Sequence, residues 1–177
     1  MNKKIAERLK IINKLSKLEH HINEIVAKMM QTISNKGVIY TCGNGGSACD
    51  AMHMTAELVG RFKKVRNPIN SICINTNVAV ITSLSNDFNY NQIFSKQLFH
   101  VTDKDLVLFY STSGTSENIV KCNHNFQKIL FTGQKTSPFA TTCNVVIHIP
   151  SLSTPIIQEC HTMLNHIIME TLEGKLK

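Results

Sequence analysis

The sequence predicts an α/β fold: a three-layer sandwich around a five-stranded, mainly parallel sheet, preceded by a long N-terminal helix. Three observations carry this. Five short apolar runs (Val38–Cys42, Ser71–Asn75, Leu106–Ser111, Lys128–Thr132 and Val145–Ile149) lack the polar alternation of a half-exposed strand, as expected for strands covered on both faces. Segments of helical periodicity separate most of them, and strand–helix alternation is the signature of a parallel sheet. Ahead of the first run, apolar residues recur every three or four positions for about nine turns.

That leading helix is expected over Asn2–Ser34, with Ile5, Leu9, Ile12, Leu15, Leu18, Ile22, Ile25, Val26, Met29 and Ile33 on its apolar stripe. It is longer than its own sheet can cover, so packing against partner subunits is its expected use. Asn35-Lys36-Gly37 supplies a C-terminal stop. The helices between the strands are expected at Ser47–Val59, Val78–Ser85, Tyr90–His100 and Ser116–Phe126, with a last one over Pro155–Leu172. Repeats, low-complexity tracts and linkers are absent from the sequence. One domain is therefore expected over 1–177, made of an oligomerisation helix (1–34) and the sandwich (38–177).

With 177 residues, 42% of them hydrophobic and 18% charged, the chain can bury a sizeable core. Tryptophan is absent and aromatics are 6%, which argues against a stacking platform for single-stranded nucleic acid. The net charge is +7, but six of the nineteen Lys and Arg residues fall in the first seventeen positions. There they alternate with apolar residues, as a solvated helix face does, so the charge implies no nucleic-acid partner. The six cysteines form no CxxC pair and read as reduced residues. Lys3 and Lys4 precede no continuous apolar stretch and no run reaches membrane-spanning length, so no leader and no membrane segment are expected and the location is cytoplasmic.

Ligands of a parallel sheet gather at the carboxyl ends of its strands. Two loops lie there: Gly43-Asn44-Gly45-Gly46-Ser47 and Ser111-Thr112-Ser113-Gly114-Thr115-Ser116. The second places five hydroxyls and a glycine ahead of an expected helix, a set of donors suited to a phosphate. One serine would be accounted for as an N-cap, with Ser116 in that role; five hydroxyls in six residues are not. The loop is neither a Walker loop nor a GxGxxG fingerprint, so the expected ligand is a small phosphorylated molecule. The glycine turn would then shape the rest of the pocket.

After that turn, His53 and Glu57 stand four residues apart, roughly 6 Å along a helix and about 40° around it. An imidazole and a carboxylate so placed can share a divalent ion, and mixed N and O donors suit zinc. A lone pair of this kind is more often a surface hydrogen bond. The last helix carries Gln158, Glu159, His161, His166 and Glu170, and spacing does not choose between His161 and His166.

Taken together, GNGGSACDAMHMTAEL, SNDF at Ser85–Phe88, STSGTSENIV and IQECHTMLNH resemble the phosphoheptose isomerases of the sugar-isomerase (SIS) fold, in order and over nearly the whole chain. GNGGS and STSG mark the wider fold family, and the DAMHxxxEL and QExHxxxxH patterns narrow it to the isomerases. The resemblance implies a homotetramer with active sites at subunit interfaces and one Zn2+ per subunit held by His53, Glu57, Gln158 and His166. Ser111, Thr112, Ser113 and Ser116 would hold the substrate phosphate. Asn44, Gly45, Gly46, Ser47 and Asp87 would touch the sugar or order the loops around it. Two departures stand out. The segment from Asn118 to Gly133 is short for the family, so the helix after the phosphate loop would be truncated. Thr154-Pro155-Ile156-Ile157 lacks an acidic or basic residue that some members carry before the glutamine.

The chemistry implied is aldose–ketose isomerisation, in which a proton moves between adjacent carbons through an enediol(ate). Glu57 would be the base and His166 the acid, with zinc as Lewis acid. The product would feed activated-heptose synthesis for lipopolysaccharide or capsule. Two rivals compete with this: a non-catalytic SIS tetramer that binds a protein such as a replication initiator, and an isomerase of another sugar phosphate. A binder would have no need for His53, Glu57, Gln158 and His166 together.

Overall fold

The computed structural model describes residues 2–133 and 137–176. Five strands, β1 (Ile39–Gly43), β2 (Ser71–Cys73), β3 (Leu106–Tyr110), β4 (Gln127–Thr132) and β5 (Val145–His148), form one sheet in the order β2-β1-β3-β4-β5. Every neighbouring pair is parallel. All five residues of β3 are buried, because the strand is central and helices cover both faces. Side chains alternate across it: Leu106, Leu108 and Tyr110 enter one core and Val107 and Phe109 the other.

The helices are α1 (Lys3–Ile12), α2 (Glu19–Ser34), α3 (Gly46–Val59), α4 (Val78–Asp87), α5 (Ile93–Gln97), α6 (Glu117–Val120) and α7 (Thr154–Lys175). On one face α2, α3 and α7 pack Ile25, Val26, Met29, Met54, Leu58, Leu164, Ile168 and Leu172 against the sheet. On the other, Ile93, Phe94, Leu98, Ile119 and Phe139 form the second core. Fully burying a side chain of this size is worth about 1.5–3 kcal/mol, so these two layers supply most of the drive for the fold.

The leading helix is not continuous. A 3-10 segment at Leu15–Leu18 separates α1 from α2, with Lys14 N–H bonded to Ile11 C=O at 2.9 Å and Ser16 Oγ to Asn13 C=O at 3.2 Å. The Ser16 hydroxyl competes for the backbone as a short polar side chain does. The change of pitch lets both Ile11 and Leu15 reach the core, while Ile5, Leu9 and Ile12 of the expected stripe stay 52%, 44% and 38% exposed.

Other bounds shift for local reasons. β2 ends at Cys73, not Asn75, because the Asn75 side chain takes over the ladder's work: Oδ1 accepts from Gly43 N–H at 3.1 Å and Nδ2 donates to Gly43 C=O at 2.8 Å. The expected helix over Tyr90–His100 is a 3-10 turn (Tyr90–Gln92) followed by α5. The one over Ser116–Phe126 is the single turn α6, closed by an i+3 bond from Cys122 N–H to Ile119 C=O. Asn123-His124-Asn125 then favours a turn, which confirms the expected truncation. α4 buries none of its residues, and Val78 on it is 68% exposed. None of the six cysteines is paired. No described helix is long and apolar enough to cross a membrane.

Candidate active site

Two places on the helix pair α3 and α7 collect polar residues. Both helices start at the carboxyl end of the sheet, α3 after β1 and α7 after β5. They run in the same direction with matched rungs. Gly46 lies against Gln158, Asp50 bonds Thr162 and Asn165, and His53 meets His166.

At the first rung is a cavity of about 150 Å³ lined by Asn44, Ser47, Tyr110, Ser111, Thr112, Ser116, Thr154 and Gln158. The loop after β3 is folded on itself by Gly114 N–H, which bonds both the carbonyl and the hydroxyl of Ser111 at 3.1 Å. Ser116 occupies the N-cap position of α6 but its hydroxyl caps no N–H. A capping serine would have spent that hydroxyl on the helix; here it is unspent, and Ser116 is one of the residues lining the cavity. With α6 only one turn long, an anion bound here would rely on hydroxyls and loop N–H groups more than on a helix dipole. Ser113 instead accepts from Thr115 N–H at 3.2 Å, beside the cavity and not among its lining residues.

The glycine turn is held by amides. Asn44 and Asn118 exchange two side-chain hydrogen bonds of 2.9 Å, and Tyr90 Oη donates to Asn44 Oδ1 at 3.1 Å. Asn44 therefore orders the loop. Gly45 has φ +55°, and a Cβ on Gly46 would lie 2.5 Å from the Gln158 amide. The first position requires glycine for its backbone; at the second a larger residue would displace the Gln158 amide. Asp87 sits at the exposed end of α4, where its carboxylate accepts from Asn86. It lies outside the cavity.

Two turns further along the pair, His53 Nε2 is 3.1 Å from Glu57 Oε1 and 3.2 Å from His166 Nε2. Ligand atoms of these three residues all lie within 4.8 Å of one another. Zinc–ligand bonds near 2.0–2.1 Å imply tetrahedron edges of about 3.3 Å, so the two measured separations match two edges of such a site. Two imidazole nitrogens and a carboxylate oxygen are donors that fit zinc. Phe62 stacks on His166 at 5.9 Å between ring centres. Arg66 steadies the end of α3 by donating to the carbonyls of Glu57 (2.6 Å) and Leu58 (2.8 Å).

The other polar residues of α7 have different roles. Glu159 pairs with Arg8 and Glu170 with Lys63. His161 is fully buried against the edges of the stacked Tyr110 and Phe131 rings, with Nδ1 3.9 Å from Asp50 Oδ2. Burial pushes its pKa down to about 4. Burial also raises Asp50, against the opposing Thr162 hydroxyl and His53. The structure thus selects His166 over His161 for the triad. Gln158 belongs to the cavity wall, about 12 Å of helix rise before His166. Tyr110, Thr154 and Phe62 escaped the sequence reading: the first two flank strand and helix ends without a motif, and Phe62 meets His166 only through the fold.

The chain belongs to the SIS-domain family, whose model matches residues 3–129. A phosphoheptose isomerase of Thermodesulfovibrio yellowstonii is 37% identical over 161 residues, covering 88% of this chain and 80% of that protein. The structure of a phosphoheptose isomerase from Francisella tularensis superposes with a TM-score of 0.92 at 27% identity, covering 98% and 96% of the two chains. The Neisseria gonorrhoeae phosphoheptose isomerase superposes with a TM-score of 0.89 at 28% identity, covering 97% and 95%. Within the SIS family, the chain falls among the phosphoheptose isomerases.

Proposed function

We propose that this chain is a sugar-phosphate isomerase that converts sedoheptulose 7-phosphate to D-glycero-D-manno-heptose 7-phosphate through an enediol(ate). The observation that carries this is the His53–Glu57–His166 triad in a chain whose relatives are phosphoheptose isomerases. A non-catalytic SIS binder has no use for such a triad, and nothing in the site favours a different sugar phosphate.

In this reading Glu57 takes the proton from the carbon beside the carbonyl and His166 delivers one to the carbonyl oxygen. Their approach to a common point through His53 puts base and acid within reach of adjacent substrate atoms. Ser111, Thr112 and Ser116, with Ser113 supporting the loop, anchor the phosphate, so that remote binding energy positions the reacting carbons. Ser47, Gly45, Gly46 and the loop ordered by Asn44 border the sugar. Asp87, exposed at the end of α4, is the proposed further residue that touches the sugar or orders the loops around it.

His53, Glu57 and His166 are the proposed zinc ligands, one ion per subunit. Gln158 is the proposed fourth and must leave the cavity wall to serve there. When bound, zinc would supply Lewis acidity at the carbonyl–hydroxyl pair. The homotetramer reading, with sites at subunit interfaces, is supported by α4, which buries nothing, and by the exposed stripe of Ile5, Leu9 and Ile12. The chain is read as one domain, cytoplasmic, serving activated-heptose synthesis for lipopolysaccharide or capsule.

The test is incubation with sedoheptulose 7-phosphate, following aldose formation by the zinc-loaded and the chelated protein. Aldose from the loaded form alone is expected. No aldose from metal-loaded, folded protein would overturn the assignment.

A further inference from the structure

We propose that Asn165 is a positioning residue of the metal centre, acting through a buried hydrogen-bond chain, Tyr110–Asn165–Asp50, that sets the spacing of the two helices carrying His53 and His166. The proposal rests on the metal reading above and adds to it Asn165, which lines neither the triad nor the cavity, and Tyr110, which borders the cavity.

Asn165 is fully buried and immediately precedes His166. Its Nδ2 donates to the backbone carbonyl of Asp50 at 3.0 Å, and its Oδ1 accepts from Tyr110 Oη at 2.7 Å. Asp50 lies three residues before His53 on α3, so both ends of the His53–His166 contact refer to the same two hydrogen bonds. The second anchor is the sheet itself: Tyr110 ends the central strand β3 and stacks on Phe131 of β4 with rings 4.6 Å apart and 6° from parallel. A further bond from Thr162 Oγ1 to Asp50 Oδ1 at 2.7 Å ties the same rung. One point of α7, beside a proposed ligand, is thereby fixed to α3 and to the sheet at once.

Around this rung the contacts are apolar, with Met54, Leu58, Leu164 and Ile168 all buried. Such packing is non-directional and leaves helices free to settle by fractions of an ångström. A hydrogen bond has a preferred length and angle, and a metal site needs its donors held to about 0.5 Å. Leucine and phenylalanine at 165 and 110 would fill the same space without burying an amide and a hydroxyl, whose desolvation the mutual bond only just offsets. What the polar pair adds over that apolar alternative is direction.

The double variant Tyr110→Phe/Asn165→Leu removes both members of their bond, and Asp50 C=O lies mid-helix, where an i+4 N–H still reaches it. Replacing both partners at once is close to neutral for stability. Zinc affinity is measured on the folded protein by competition with a chromogenic chelator, with thermal melting on the same samples. The expected result is binding about tenfold weaker than wild type, the scale at which outer supports act on metal sites, with little change in Tm. Should the double variant melt much lower, Tyr110→Phe alone, which deletes one hydroxyl, is read in the same way. Affinity equal to wild type in a folded variant overturns the positioning role while leaving the metal site standing. A wild-type chain that takes up no zinc overturns the metal reading, and this proposal with it.

Discussion

His53 and His166 face each other through their Nε2 atoms at 3.2 Å, across 113 residues of sequence. At that distance one ring can donate Nε2–H to the other, or both can turn their lone pairs to a shared cation, whose charge the carboxylate of Glu57 at 3.1 Å from His53 would help to balance. Saturating zinc should therefore stabilise the native chain, by about 2.7 kcal/mol at a hundred times the dissociation constant. Thermal melts with and without the metal check this. His166→Asn should lose most of the shift, and a wild-type melt that zinc does not move would count against the site.

Glu57→Gln keeps the shape of the side chain and removes its basicity. It should fold as wild type does, and turnover should fall by about two to four orders of magnitude if the carboxylate moves the substrate proton. Exchange of the substrate proton with deuterated solvent, followed by NMR, isolates that step. Exchange at the wild-type rate would rule out Glu57 as the base.

Ser116→Ala separates a capping serine from a binding one. A true N-cap loses about 1 kcal/mol on this change. Because the Ser116 hydroxyl caps nothing, the expected outcome is stability within about 0.5 kcal/mol of wild type, with a raised KM for the phosphorylated substrate. Urea unfolding and steady-state kinetics on one preparation give both numbers.

Gly46→Ala puts a methyl group 2.5 Å from the Gln158 amide. Gln158 must swing away or α3 and α7 must part at their first rung. Activity should drop while the cores hold the fold, because the group that must give way is the far end of the Gln158 side chain. Far-UV circular dichroism matched to wild type, with kcat/KM reduced, is the predicted pair of results; unchanged kcat/KM would contradict the close approach.

His161 makes stability depend on pH. Burial holds its pKa near 4 against an ordinary 6.5, so between those values the unfolded chain binds a proton that the native chain does not. Its contribution is complete above pH 6.5 and is lost as pH falls towards 4. Asp50, raised by burial, works in the opposite sense as it takes up its own proton. In His161→Leu the decline between pH 6.5 and 4 should flatten. Urea midpoints across that range measure it, and an unchanged slope would exclude His161 as its source.

Much of this protein is decided by its sequence alone. The apolar runs define five strands, of which the central β3 is covered on both faces while Ile72 of the edge strand β2 stays 46% exposed, and the order of strand and helix dictates parallel pairing, since a helical crossover returns the chain in the same direction. The hydroxyl-rich loop and the i, i+4 pair His53/Glu57 are local patterns, legible because neighbours in sequence stay neighbours in space. The break at Leu15–Leu18 and the single-turn α6 were less legible: periodicity continued through both, and the Ser16 hydroxyl bond in the first and the Asn123–Asn125 turn in the second won over it. Only the tertiary structure could decide that His166 joins His53 while His161 is buried beneath Tyr110. The two histidines sit on one helix with equal chemistry. What separates them is the face that α7 turns to α3, and that is set by the packing of both helices on a sheet whose strands come from the whole length of the chain.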